Sequence, residues 1–384
     1  MLVAALFGMA AAGGGARATE ISQELAARLT PAQQQLYLAY REARAQFDKQ
    51  YRAYWTRIEA KRQARRARRM LGQAHTPDDY IATQPPQYLG PELTPDVARA
   101  IASLQPPAEV RQLPGVADFL KQAKEQFGFV PKVVAEREFK RLYARESLRV
   151  GLTKEQVVRV YALETGGQGG YDTLSGINPV TRQGTPKSSA LGYAQILHAN
   201  SIGAAAKHGD EFAKRLIALA AVPGTPAGRA AELKAKAAIL RKMMRVARSV
   251  PYEWNVHRRL AATAKGLGIH ALNLDADVGP WLQVLKLIQL LEAAASAGHP
   301  KLTGAQLELM NLAGPRTGLE MLEPVGRTMP TANFFEEGGY YRNAIVRDKN
   351  GAELLAALEE RMNANVKLPG SIEFAQVFDE VARR

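Results

Sequence analysis

The chain has 384 residues, 46% hydrophobic and only 7% aromatic, enough for one large domain with an appendage or two modest domains, and it lacks the alternating β-branched runs of an all-β fold. Its formal net charge of +14 suits an anionic partner (nucleic acid, an anionic lipid surface or an acidic cell-wall polymer) without choosing among them. It has no cysteine, which excludes a disulfide framework and any thiolate metal site.

Residues 1–18 read as a signal peptide: they are apolar and small, and Ala16-Arg17-Ala18 has the A-x-A form of a cleavage site. The apolar run is too short to span a bilayer, so the expectation is export to the periplasm or cell envelope; the alternative is an Ala/Gly-rich tail. Residues 19–71 are expected to form a long basic N-terminal helix. Its continuous part starts at Pro31, an N1 proline behind the cap Thr30, and runs to about Leu71. Leu36, Tyr40, Phe47, Tyr51, Tyr54, Trp55 and Ile58 recur at near-helical spacing. The end of this helix is dense in cations, among them Arg57, Lys61, Arg62, Arg65, Arg66, Arg68 and Arg69. They read as a solvated helix end that complements the dipole, or as a contact for an anionic polymer. No stacking aromatics interleave them and no nucleic-acid motif is present, so no nucleic-acid partner is expected.

Residues 72–115 hold eight of the 21 prolines and read as a linker or an extended wrap. From residue 116 the pattern is helical again, over 116–127, 132–147, 154–165, 202–220, 229–249, 251–266, 279–297, 303–312, 351–363 and 371–383. Only 168–197 and 325–348 look irregular enough for short strands. The fold class is therefore mainly α, with a small irregular or β-hairpin segment, preceded by the long N-terminal helix and Pro-rich linker.

Thr153 and Gln156 predict a capping box for the helix after Thr153. Val157, Val160, Tyr161 and Glu164 then share one face, so the acid continues a core-facing apolar stripe. It also falls in the last turn, before Gly166 and Gly167. Burial and the negative helix pole both disfavour the carboxylate, and a carboxylic acid kept protonated near neutral pH can protonate a glycosidic oxygen. The other reading is a surface residue or a partner of Arg159. Gly166, Gly167, Gly169 and Gly170 give the backbone freedom to turn and leave room beside the acid. They do not make a phosphate loop, because they follow a helix and no Lys-Ser/Thr pair follows at Walker spacing. No HExxH pair involves any of the six histidines, a metal at the loose cluster of His270, Asp275 and Asp277 is not expected, and no nucleophile elbow is present. Trp254 and Trp281 fall on helical stretches, where tryptophan more often packs in the core than serves a ligand.

Three ordered blocks carry a family resemblance. Glu164-Thr165 ends a helix as Glu-Ser does in the lysozyme-like lytic transglycosylases. Ser188, Ala190, Gly192, Tyr193, Gln195 and Ile196 in SSALGYAQIL then match S-x-x-G-A-x-G-L-M-Q-[LI], and Leu309 to Pro315, LMNLAGP, resembles A-x-Y-N-x-G-P. Thr165 stands for serine, Tyr193 for leucine and Met310 for tyrosine.

The resemblance implies a lysozyme-like catalytic domain over 116–384, with a helical insertion near 200–300. It implies cleavage of β-1,4 bonds between MurNAc and GlcNAc in peptidoglycan, with no cofactor and no metal. Glu164 would be the general acid and then the base. Thr165, Ser188 and Gln195 would orient it or hold substrate, Gly192 would let the backbone approach the sugar, Tyr193 and Asn311 would line the cleft, and Tyr340 or Tyr341 would approach the acid, the alternative for these two being a packed aromatic loop. A hydrolase would need a base as well, and Asp172 is the local candidate, with a turn role as its alternative. A same-fold hydrolase of another bacterial glycan, or a non-catalytic glycan-binding or scaffold protein, are the alternatives to peptidoglycan cleavage.

Overall fold

The computed structural model describes residues 21–106 and 112–383, so the expected signal peptide lies outside the described residues. The chain divides into two compact units, Met1–Val110 and Arg111–Arg384. The first contains α1 (Gln23–Ala26), α2 (Pro31–Met70), a 3-10 turn (Pro77–Asp79) and α3 (Pro95–Ala102). The second contains α4 (Val116–Phe127), α5 (Glu136–Arg149), α6 (Lys154–Glu164), α7 (His198–Ala220), α8 (Ala227–Ala247), α9 (Trp254–Ala261) and α10 (Ala264–His270). These are followed by α11 (Gly279–Ser296), α12 (Gly304–Ala313), α13 (Pro315–Leu322), α14 (Pro324–Thr328), α15 (Glu337–Arg342), α16 (Gly351–Asn365) and α17 (Pro369–Ala382). Among the described residues there is no strand; Leu174–Leu191, Ile177–Gly184, Leu191–Ile196 and Pro330–Asn350 form isolated bridges. The irregular stretch expected at 325–348 is instead mostly short helices.

In the first unit α2 begins with the expected N1 proline and a capping box between Thr30 and Gln33. The Pro-rich stretch is neither a free linker nor helix-free. It holds α3, and it runs back along α2: the Tyr54 hydroxyl donates to Thr83 O at 2.9 Å, and Tyr88 meets Tyr40 and Phe47 edge-on at 6.0 and 5.5 Å. Several cations of α2 make contacts within their own unit. Arg65 is buried, donates to Asp79 O at 2.9 Å and lies 4.3 Å from the Tyr80 ring centroid. Arg62 pairs with Glu59 at 2.9 Å, and Lys61 donates to Asp78 O. The basic helix end is thus partly a packing surface.

In the second unit α6 packs against α12, α16 and α17, α5 against α11 and α17, α7 along α8, and α10 against α4 and α7. An aromatic cluster of Phe139, Tyr143, Tyr161, Tyr193 and Phe374 joins α5, α6 and α17 to the 188–197 segment, with Tyr161 and Tyr193 edge-on at 4.8 Å. The single helix expected over 251–266 is two. Ala262 ends α9, and Thr263 caps α10 by accepting from Gly266 N at 3.2 Å.

His270, Asp275 and Asp277 do not meet as a cluster. His270 donates from Nε2 to Ser189 O and accepts at Nδ1 from the Ser201 hydroxyl, both at 2.9 Å, and burial drives its pKa down to about 3. Asp275 and Asp277 instead accept from Lys236 Nζ at 2.7 and 2.5 Å, and Asp275 also accepts from Lys132 N at 2.7 Å. No group of three His, Cys, Asp or Glu side chains able to hold a metal occurs among the described residues. Asp275 is fully buried, so its charge depends on that lysine. Lys236→Met, which keeps the volume, should cost about 3–5 kcal/mol in chemical denaturation, the range for breaking a buried ion pair from one side. A loss below about 1 kcal/mol would mean that Asp275 is held by other groups.

Candidate functional site

Helix α6 is built as its sequence suggests. Thr153 and Gln156 form the capping box, and Val157, Val160 and Tyr161 are buried. The helix ends at Glu164, whose side chain keeps 17% of its surface exposed. Gly166 follows with φ +67 and open space where a side chain would be, at the lip of a cleft of about 460 Å³. Glu164, Thr165, Thr173, Ser175, Gln195 and Glu308 are among the residues lining that cleft. Gly167 serves packing instead. A Cβ there would lie 2.4 Å from Asn365 O, so its bare backbone admits the end of α16.

Helix α12 lies beside α6 and is tied to it at both ends. Near the helix starts, Gly304 N donates to the Glu155 carboxylate at 2.9 Å and Gln156 Nε2 donates to Leu302 O at 2.8 Å. Near the helix ends, Asn311 Nδ2 donates to Glu164 Oε1 at 2.8 Å and to Glu308 Oε1 at 3.0 Å. One amide therefore bridges two carboxyl groups, holding the two acceptor oxygens within roughly 6 Å of each other. Glu308 is only 4% exposed, and its Oε2 is buried without a partner. Lys286 on α11 holds Nζ 3.8 Å from Glu164 Oε1 and donates to Ala194 O at 2.6 Å.

Burial raises the pKa of Glu164, opposed by the Lys286 charge and the Asn311 hydrogen bond. Burial raises Glu308 further, and the neighbouring Glu164 charge adds to it. Two carboxyls this close favour retaining a proton between them, and the orphan Oε2 of Glu308 suits the protonated side.

The residues singled out from sequence fare differently. Asn311 touches Glu164 directly. Gln195 shares the cleft but turns its amide to Thr173 O and Gly192 O, both at 2.9 Å, with its backbone at φ +42. Thr165 is buried and spends its hydroxyl on Tyr161 O at 2.7 Å, so it caps the helix instead of orienting the acid. Ser188 accepts from Ala190 N at 3.2 Å as a local turn and is not part of the cleft wall. Gly192 serves a protein contact, since a Cβ there would lie 2.5 Å from the amide of buried Gln283. Tyr193 does not line the cleft. It is buried in the aromatic cluster and donates to Glu136. Asp172 pairs with Arg182 away from the cleft lining, which removes it as a base beside Glu164. Tyr340 is buried and bonds with Asp348, accepting from its N at 2.9 Å, and Tyr341 packs edge-on against it at 5.0 Å; neither lines the cleft.

Sequence reasoning missed Glu308, Lys286, Thr173 and Arg361. Glu308 and Lys286 carried a signal, each being a lone charge in an apolar helical run, LELMNLA and WLQVLKLIQLL. Thr173 leaves a buried hydroxyl without a partner at the cleft, and Arg361 is an exposed cation in its wall; neither had a local sign. No protein-family model matches the chain, and no curated protein or solved structure matches it.

Both carboxyls are shifted above the ordinary carboxyl range in the folded chain. The folded state therefore binds more protons, and their contribution to stability falls as pH rises out of the ordinary carboxyl range. Glu308→Gln should raise the Tm at neutral pH and change it little below about pH 4, where the carboxyls are protonated in both states. Equal Tm shifts at both pH values would remove the linkage.

Proposed function

We propose that this chain cleaves β-1,4 bonds between MurNAc and GlcNAc in peptidoglycan as a lytic transglycosylase, with Glu164 as general acid and then base. The observation that supports this most is the carboxyl inventory of the cleft. Glu164 is the accessible acid, and the second carboxyl, Glu308, is buried behind it with its pKa raised, by burial first and then by the Glu164 charge. Such a site has one working acid/base, which is what transglycosylation needs. The Glu164 carboxylic acid protonates the glycosidic oxygen as the C1–O bond breaks, and the bonding pair leaves with the GlcNAc O4. The Glu164 carboxylate then takes the proton of the MurNAc C6 hydroxyl, whose oxygen bonds to C1 and closes the 1,6-anhydro ring. No water is consumed.

The other groups have roles that fit. Asn311 orients the Glu164 carboxyl, Glu308 holds Asn311, and Lys286 stabilises the carboxylate left after proton donation. Arg361 suits the carboxylates of a lactyl-peptide substituent. The net charge of +14 suits an anionic envelope, in keeping with the signal peptide read at the N-terminus.

A second reading, retaining hydrolysis, has one observation in its favour: an oxygen separation within roughly 6 Å is near the ~5–5.5 Å between carboxyls of retaining glycosidases. Purified protein and variants incubated with peptidoglycan, with products analysed by mass, separate the two. Glu164→Gln should lose about 10²-fold or more of the release. Wild-type products should be anhydro-muropeptides, and Glu308→Gln should keep measurable release. Reducing ends, together with full loss in Glu308→Gln, would favour hydrolysis. No release by the wild-type protein would end both peptidoglycan readings and leave a binding role or another glycan.

A further inference from the structure

A second pocket, of about 240 Å³, is walled by α7, α9 and α11, in the stretch that the family resemblance reads as an insertion. Two aromatic side chains stand at it and are largely open to solvent: Tyr252 is 64% exposed and Trp254 52%. Trp254 is thus not the core residue its helical setting suggests. Neither ring is loose. Trp254 Nε1 donates to Asn200 Oδ1 at 3.3 Å, with the Arg258 guanidinium 5.6 Å from its ring centroid. Tyr252 meets His257 edge-on at 5.1 Å. His257 is only 3% exposed, lines the pocket, and has Nε2 without a partner. Burial lowers its pKa, which favours the neutral ring.

Held aromatic faces at an open mouth, with an unpaired polar atom beneath, match the chemistry of a pyranose ring. Its axial C–H groups form an apolar face that stacks on an aromatic ring, while its hydroxyl rim seeks hydrogen bonds in the plane of the ring. Two residues link the pocket to the cleft of the acid. Lys286 lines the pocket and reaches to 3.8 Å from Glu164 Oε1, and Ile196 lines it directly after Gln195 of the cleft wall.

We propose that the Tyr252–Trp254–His257 pocket is a carbohydrate subsite, binding an N-acetylhexosamine ring of the same strand that Glu164 engages. This rests on the glycan reading of the cleft, and its test separates the two. The chain has three tryptophans, and Trp55 and Trp281 are buried, so the emission of Trp254 reports on this pocket. The full chain carrying Glu164→Gln is titrated with N-acetylglucosamine tetramer and hexamer and with purified glycan strands. The expected result is a saturable emission change, with binding by calorimetry weakened about tenfold or more in Tyr252→Ala, an exposed position whose loss leaves the fold intact, and weakened also in His257→Gln. Far-UV circular dichroism checks that each variant is folded. No saturable emission change with any of the three probes, or equal affinity in folded Tyr252→Ala, would overturn the subsite. Tyr252-dependent binding by a protein that releases nothing from peptidoglycan would overturn the cleavage reading and leave the subsite standing.

Discussion

The site depends on one amide group. Asn311 Nδ2 has two hydrogens and gives one to each of two carboxyls. Without such a bridge, Glu164 and Glu308 would present adjacent acceptor oxygens to each other with nothing between them. The bridge works only if α12 lies on α6 in one register, and contacts far from the acid fix that register. Glu155 and Gln156 hold Leu302 and Gly304 at the helix starts, so the two helices run in the same direction and their ends arrive together. The capping boxes of both helices then set where each first turn begins, through Thr153 with Gln156 and Thr303 with Gln306.

The facing wall is organised by a different buried amide. Gln283 accepts from Tyr193 N at 2.7 Å and donates to Asn273 O at 3.3 Å, filling the space that the absent side chain of Gly192 leaves. That contact, with Tyr193 anchored among the aromatics, forces the tight turn in which Gln195 takes a left-handed backbone and bonds back to Thr173 and Gly192. His270 clamps the same segment through Ser189 O. The cleft thus has rigid walls on either side of Glu164, made from residues far apart in sequence, as preorganised polar chemistry requires.

Much of this was legible locally and some of it was not. The capping box at Thr153, the apolar face of α6 and the end of the helix near Glu164 follow from period and cap chemistry, which act over a few residues. What a local pattern lacks is the identity of the tertiary neighbour. Asp172 was the nearest carboxylate in sequence, but Arg182, ten residues on, claims it. The carboxyl that does neighbour Glu164 comes from 144 positions away, and only its isolation in an apolar helix marked it. Tyr193 shows the same limit: an aromatic beside a glycine suits a sugar or a core equally, and the core won because Phe139, Tyr143, Tyr161 and Phe374 surround it with ring contacts. Trp254 is the converse case, a helical tryptophan that the core does not take.

Glu308 is costly where it stands. A buried carboxyl with one oxygen unpaired loses hydration that its single hydrogen bond does not replace, and the neighbouring acid adds repulsion whenever both ionise. Leucine or methionine at this position would carry no such penalty. Local rules are broken in this way most often at functional sites, where stability is given up for the chemistry of a few groups. Here the group that gains is Glu164. Burial disfavours its ionisation, Asn311 fixes its orientation, and Lys286 and the Asn311 hydrogen bond limit how far its pKa can rise. Burial and these two side chains act in opposed directions on one carboxyl, and a lone acid/base must both give and take a proton.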